Sequence, residues 1–117
     1  LRELLTEKGV LIVAVPNCSS YDAMKYGKYW AAYDVPRHLW HFTPATIQQF
    51  GSKHGFILAA RHPMPFDAFY VSMLTEKHKG SAYSFVKGMW TGTVAWLSAQ
   101  AKKERSSSMI YVFRKKR

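Results

Sequence analysis

The sequence is poor in cysteine and in acidic residues. Its 117 residues include one cysteine, Cys18, so neither an internal disulfide nor a cysteine-based zinc cluster is possible. Seven Asp and Glu stand against seventeen Lys and Arg, a formal net charge of +10 that raises nucleic acid, anionic lipid or acidic substrates as partners. Low-complexity tracts are also missing, and 48% of the residues are apolar, which excludes a wholly disordered chain. We expect a single small domain in a reducing, cytoplasmic compartment.

An initiator methionine is absent as well. The sequence opens Leu1-Arg2-Glu3-Leu4-Leu5, with three leucines on one helical face. We interpret residues 1–8 as the last turns of a helix that ends at Gly9, because glycine is the common residue at a helix C-cap. The expectation is that the chain enters a longer protein partway through a domain.

The positive charge is concentrated near the C-terminus. Residues 1–60 hold six basic and four acidic side chains, whereas residues 61–117 hold eleven and three. Residues 102–117 alone contribute +6, which we interpret as a solvated basic tail. Nucleic-acid binding is not predicted, since the chain has no paired Cys/His finger, no basic helix with heptads and no aromatic RNA-binding strand.

Apolar patterning predicts an α/β fold. The continuous run at 10–15 is typical of a strand buried on both faces of a parallel sheet. Thr43 followed by Pro44 marks a helix start, and Gly55 marks its end. The remaining predicted elements are strands at 56–62 and 108–113 and helices over 66–80 and 82–103.

The stretch 81–101 carries one charge, Lys87, and a Gly88-x-x-x-Gly92 pair. A lysine near the centre makes a membrane-spanning helix unfavourable. Three alternatives are left: packing of two helices on one sheet face, an interfacial membrane helix, and a cap over an apolar substrate pocket.

Residues 18–42 form a predicted loop that is dense in Tyr, Trp and His, with a short helix near 21–29. Ligands gather beyond the carboxyl ends of strands in open α/β sheets. We therefore expect 17–21 and the aromatic loop to lie near any site.

Three motifs carry a family resemblance. They are GVLIVAVPN at 9–17, PRHLWHFTP at 36–44 and HGF at 54–56. Together they resemble class I S-adenosylmethionine-dependent methyltransferases, in the branch that includes ubiquinone-type small-molecule enzymes. The resemblance covers residues 1–62 and implies that the three strands are the fifth, the sixth and an antiparallel seventh inserted between them. Residues 63–104 would then be a helical insertion between the last two strands.

The family holds its cofactor with a glycine-rich turn and an acidic residue, both of which precede the fifth strand. No such turn is present, and Asp22 and Asp34 follow the wrong elements. The resemblance therefore implies that residues 1–117 are the C-terminal portion of a Rossmann-like methyltransferase domain. The longer parent is expected to bind S-adenosylmethionine, whereas this portion alone is not, and no cofactor-binding residue is predicted here.

The activity implied by the resemblance is methyl transfer to a small-molecule acceptor. His38 and His41 are the predicted catalytic residues, since imidazole titrates near neutrality. Structural alternatives stay open: Arg37 can pair with Asp34, and His41 can cap the helix that follows. His38 and His41 lack further ligands for zinc, so no metal site is predicted. The predicted substrate-binding residues are Asn17, Tyr21, Tyr29, Trp30 and Arg37.

A second interpretation is a non-enzymatic module that binds an anionic membrane surface or RNA through 81–101 and 102–117. Peripheral membrane contact is compatible with the enzyme interpretation too. A half-sheet would also present an open apolar strand edge, and such edges favour homo-oligomers.

Overall fold

The computed structural model describes residues 1–117 and combines one three-stranded sheet with four α-helices. Short 3-10 turns occupy Arg2–Leu4, Gly27–Tyr29, Ala31–Tyr33 and Lys103–Arg105. The α/β class is confirmed. In chain order the elements are β1 (Val10–Pro16), α1 (Tyr21–Tyr26), α2 (Pro44–Lys53), β2 (Phe56–Pro63), α3 (Asp67–His78), α4 (Ser84–Ala101) and β3 (Ser108–Lys115).

The central strand of the sheet is the last one in the sequence. β3 lies between β1 and β2 and pairs antiparallel with both. Val10 of β1 faces Arg114, and Phe56 of β2 faces Lys115, so the two outer strands run in the same direction. This order matches the expectation of an antiparallel strand inserted between two strands that are parallel to each other.

β1 is an edge strand with one exposed face. Leu11 and Val13 are partly covered, whereas Val10, Ile12 and Ala14 are exposed. Ile12 retains 63% of its accessible surface. The prediction of a strand buried on both faces of a parallel sheet is therefore wrong for this chain, because β1 pairs with β3 alone and that pairing is antiparallel.

The opposite face of the sheet carries the main hydrophobic core beneath α2. A Cβ on Gly51 of α2 would lie 2.5 Å from the ring of Phe113. Glycine at this position therefore lets the helix approach the central strand closely. The buried residues of the core are Ile47, Phe56, Met109, Tyr111 and Phe113.

α2 begins and ends where the sequence predicts. The Thr43 hydroxyl accepts from the Thr46 backbone N–H, and the Thr46 hydroxyl accepts from the Thr43 N–H at 2.8 Å. This reciprocal pair satisfies two backbone donors at the start of the helix. Gly55 follows the last turn with a φ of +78°, a conformation that favours glycine.

Two predictions near the chain ends are wrong. Residues 1–8 hold one 3-10 turn, Arg2–Leu4, with no side-chain cap, and Gly9 does not take a positive φ. So short an uncapped segment does not sustain an α-helix. The basic stretch 102–117 is not a solvated tail, since it contains the central strand Ser108–Lys115.

The predicted insertion forms a helical hairpin, α3 and α4. A Cβ on Gly88 would lie 2.6 Å from the Met73 Cα, and one on Gly92 would lie 2.8 Å from the Phe69 Cα. The two glycines thus allow close contact between antiparallel helix backbones. α4 packs mainly on α3 and not on a sheet face, which corrects that alternative. The molecule is elongated as a result, with extents of 53 × 31 × 18 Å.

Neither of these helices, nor any other in the structure, has the length and apolar character needed to cross a bilayer.

Replacing the interhelical glycine should destabilise the hairpin. Gly88→Val is expected to lower the free energy of unfolding by about 2 kcal/mol, because the new side chain meets the Met73 backbone. Denaturant unfolding followed by circular dichroism measures the change. Thr93→Val is the matched control, since it places the same side chain at a partly exposed position of α4. Equal effects of the two substitutions would argue against close packing at Gly88.

The exposed apolar face beside an open strand edge predicts self-association. Light scattering should show that the mean mass of the chain rises with concentration. Ile12→Lys should reduce this rise, because a charge on the edge strand opposes strand pairing between molecules. Lys53→Glu, a charge change on exposed α2, is the control. A monomer at every concentration would contradict the prediction.

Candidate functional site

A small cleft lies at the carboxyl end of β1. The Cys18 N–H donates to the Phe42 carbonyl at 3.0 Å, which holds the aromatic loop against this end of the strand. The cleft has a volume of about 100 Å³. Both predicted catalytic histidines are among its walls, so the tertiary structure brings them together. The lining residues are Ala14, Val15, Pro16, Cys18, Trp30, His38, Trp40, His41 and Phe42.

Asn17 anchors this end of the sheet. Its buried side-chain amide donates to the carbonyls of Glu104 at 2.7 Å and Ser106 at 2.9 Å. Its carbonyl oxygen accepts from the Ser19 N–H at 3.0 Å and the Ser19 hydroxyl at 2.7 Å. Because all these groups are occupied within the chain, Asn17 has a structural role here and does not line the cleft.

The indole N–H of Trp30 is hydrogen-bonded to a buried carboxylate, that of Asp22. The indole N–H donates to Asp22 Oδ2 at 2.8 Å, and the Ser107 hydroxyl donates to the same oxygen at 2.6 Å. Trp30 is 2% exposed and belongs to a second core cluster with Tyr26 and Val71. Trp30 therefore offers a substrate only a ring surface at the cleft, since its one polar group is already bonded.

His38 has a defined tautomer in this geometry. Its Nδ1 lies 3.1 Å from the Ala32 carbonyl oxygen. A carbonyl can only accept a hydrogen bond, so a neutral His38 carries its proton on Nδ1. Nε2 is then left with a free lone pair. An imidazole of this kind can accept a proton from a hydroxyl in the cleft.

His41 is oriented by aromatic contact. Its ring centroid lies 4.8 Å from that of Tyr33, at an interplanar angle of 78°. Tyr33 in turn meets Trp30 edge to face at 5.2 Å. His41 caps no helix, because Thr43 performs that task for α2.

The other predicted substrate residues lie outside the cleft. Arg37 forms an exposed ion pair with Asp34 at 2.8 Å, as the structural alternative predicted. Tyr29 is exposed, and the ammonium groups of Lys28 and Lys79 lie 5.2 and 6.0 Å from its ring centroid. Tyr21 starts α1 and does not line the cleft. The structure thus unites only Trp30 of this predicted set with the two histidines.

Sequence reasoning did not include Cys18 or Trp40 among the site residues. Cys18 follows the anchored Asn17, and its position directly after β1 was the available signal. Burial raises the pKa of the Cys18 thiol above its ordinary value. Trp40 is exposed and lines the cleft. In the sequence it lies between the two histidines.

No protein-family model, curated protein or solved structure matches this chain. Although His38, His41 and Cys18 all line the cleft, no three potential metal ligands of the His, Cys, Asp or Glu type come together.

Asn17→Asp should strongly destabilise the fold. The substitution keeps the shape of the side chain but sets a carboxylate oxygen against the Glu104 and Ser106 carbonyls. We expect a loss of about 3 kcal/mol in the free energy of unfolding at neutral pH. Gln49→Glu makes the same amide-to-carboxylate change on exposed α2 and should have little effect. Similar losses in the two variants would show that Asn17 is no anchor.

The raised pKa of Cys18 predicts slow alkylation of the folded protein. Only the thiolate reacts with iodoacetamide, so the pH midpoint of the reaction should be higher in the folded chain than in urea. Because Cys18 is the sole cysteine, mass spectrometry follows a single site and the unfolded chain supplies its own reference. Identical midpoints, or a lower midpoint in the folded state, would contradict a raised pKa of the Cys18 thiol.

Proposed function

We propose that this chain is the C-terminal, substrate-side portion of an S-adenosylmethionine-dependent methyltransferase that acts on a small-molecule acceptor. The observation that carries the proposal is the order of the strands. A last strand that runs antiparallel between two parallel ones is what the resemblance implied for the end of such a domain. Two of the three motifs that carry the resemblance also border the cleft, through residues of 9–17 on β1 and of 36–44 in the loop opposite.

The residues of this chain do not by themselves fit the cofactor. The cleft holds about 100 Å³, whereas sites for drug-sized molecules occupy roughly 300–1,000 Å³. Larger depressions of about 470 to 690 Å³ lie elsewhere on the chain, but none of them is lined by a glycine-rich turn of the kind with which the family holds its cofactor. We therefore assign the cofactor to residues outside this chain and derive no step through it.

The contribution of this chain is the acceptor side of the reaction. Trp30 and Trp40 offer ring surfaces that exclude water from a bound acceptor. His38 presents Nε2 as a proton acceptor, because Nδ1 is engaged by the Ala32 carbonyl. Removing the proton from an acceptor hydroxyl makes it a better nucleophile. His41, which also lines the cleft, orients the acceptor and is itself held by its contact with Tyr33.

The alternative of an RNA-binding module that uses 102–117 is less well supported. The basic side chains of 102–117 are divided between the Lys103–Arg105 turn and the far end of β3. An eight-residue strand separates the two groups by roughly 26 Å. No continuous basic face of the kind that tracks a nucleic-acid backbone results from these residues. The cytoplasmic location stays a prediction.

Calorimetric titration of S-adenosylmethionine tests the proposal. The full-length protein that contains this chain should bind the cofactor, and the 117-residue chain alone should not. Incubation with methyl-labelled cofactor and a small-molecule cell extract should then give labelled products. Absence of cofactor binding by the full-length protein would refute the proposal. Tight binding of the cofactor by the 117-residue chain alone would contradict the role that we assign to this chain.

His38→Asn should reduce methyl transfer by the full-length protein about 100-fold, since a general base contributes on this order. Cofactor affinity should not change, because His38 faces the acceptor. The control is His62→Asn, an exposed histidine on β2 away from the cleft. Loss of cofactor binding in the His38 variant, or equal activity in both variants, would remove His38 from the proposed role.

A further inference from the structure

The outer face of α4 is apolar and exposed. Small residues on its inner face, among them Gly88 and Gly92, pack against α3. An ordinary surface helix would then turn polar residues outward. On α4, by contrast, four large apolar side chains point outward. Successive members are three, four and seven positions apart in the sequence, a spacing that places them on one side of the helix. These residues, which we name the outer stripe, are Tyr83, Val86, Trp90 and Leu97, with exposures of 71, 64, 68 and 54%.

Every charged residue in the sequence around the outer stripe is a lysine. Between Lys77 and Ala101 the sequence contains three lysines and no acidic residue. Lys87 lies on α4 directly after Val86 and is exposed, as is Lys77 at the end of α3. The nearest carboxylate along α3, Glu76, is buried. The potential around the stripe therefore favours a negatively charged partner.

The shape of this region selects the kind of partner. The side chains of the stripe are more than half exposed and line none of the larger clefts, so the stripe forms a projecting face and not a groove. Tryptophan and tyrosine prefer the boundary between lipid headgroups and acyl chains, and lysines beside them reach phosphate oxygens. A helix that lies in the plane of such a boundary needs one apolar face and flanking basic residues. The helices are unsuited to crossing the bilayer, and an interfacial position does not require it.

We propose that the outer stripe docks this protein on the surface of an anionic phospholipid bilayer. Val86, Trp90 and Leu97 enter the headgroup boundary, and Lys77 and Lys87 bind lipid phosphates. The inference is independent of the proposed methyltransferase activity, because it concerns the surface of the insertion and not the cleft.

Vesicle co-sedimentation of the protein tests the docking. Vesicles of phosphatidylcholine with phosphatidylserine should pull down the protein, and vesicles of phosphatidylcholine alone should bind it less. Raising the salt concentration should weaken the binding, because headgroup attraction is screened. The triple variant Val86→Ser, Trp90→Ser, Leu97→Ser should lower the affinity at least about tenfold. Lys87→Gln should lower it by about fivefold, and Lys53→Gln on α2 should not.

The matched control removes exposed apolar side chains elsewhere. Met24→Ser, Val35→Ser and Leu39→Ser change three apolar residues outside the hairpin that are at least as exposed. Circular dichroism verifies that both triple variants keep the fold. Equal losses in the two triple variants, or no vesicle binding by the unmodified protein, would overturn the proposal. A mass increase in light scattering that only the outer-stripe variant abolishes would identify a second copy as the occupant and would also overturn it.

Discussion

The pairing of β3 with both β1 and β2 is the constraint on which the other features depend. The β1–β3 pairs join residues about one hundred positions apart, as in Val10 opposite Arg114. After the α3–α4 hairpin the chain must therefore return to one end of the sheet, and β3 then runs between β1 and β2. The start of β3 then lies beside the end of β1. That junction is where the cleft, the anchoring Asn17 and the aromatic loop meet.

The junction is held by polar groups more than by apolar ones. Asn17 binds the backbone just before β3, and Asp22 accepts from Ser107 and from Trp30. The Ser108 hydroxyl donates to Asp67 at the start of α3. Buried hydrogen bonds of this kind are directional, so they fix the position of the start of β3 relative to β1 and α3. One oxygen of Asp22 stays buried without a partner, which is an energetic cost of this arrangement.

Local signals in the sequence sufficed for most element boundaries. The Thr43-Pro44 start of α2, the Gly55 end and the two helices of the hairpin all follow from capping chemistry and apolar spacing. The burial of β1 did not follow, because an apolar run reports only that a strand could be covered. Whether neighbours cover it depends on chain segments far away. The sequence does predict the strand at 108–113, but the interpretation of 102–117 as a solvated tail was wrong. The charges at both ends of this stretch conceal that Met109, Tyr111 and Phe113 between them belong to the core.

For the candidate site too, some features follow from local sequence and others only from tertiary contacts. The sequence by itself determined that His38 and His41 lie in an aromatic loop after a strand, and the structure unites both in one cleft. It could not determine that Asn17 and Arg37 use their polar groups within the chain, or that Trp30 is almost fully buried. Those outcomes depend on distant partners such as Glu104, Ser106 and Asp22. Local propensity acts over a few residues, whereas burial and hydrogen-bond satisfaction are decided by contacts that form only when β3 closes the sheet.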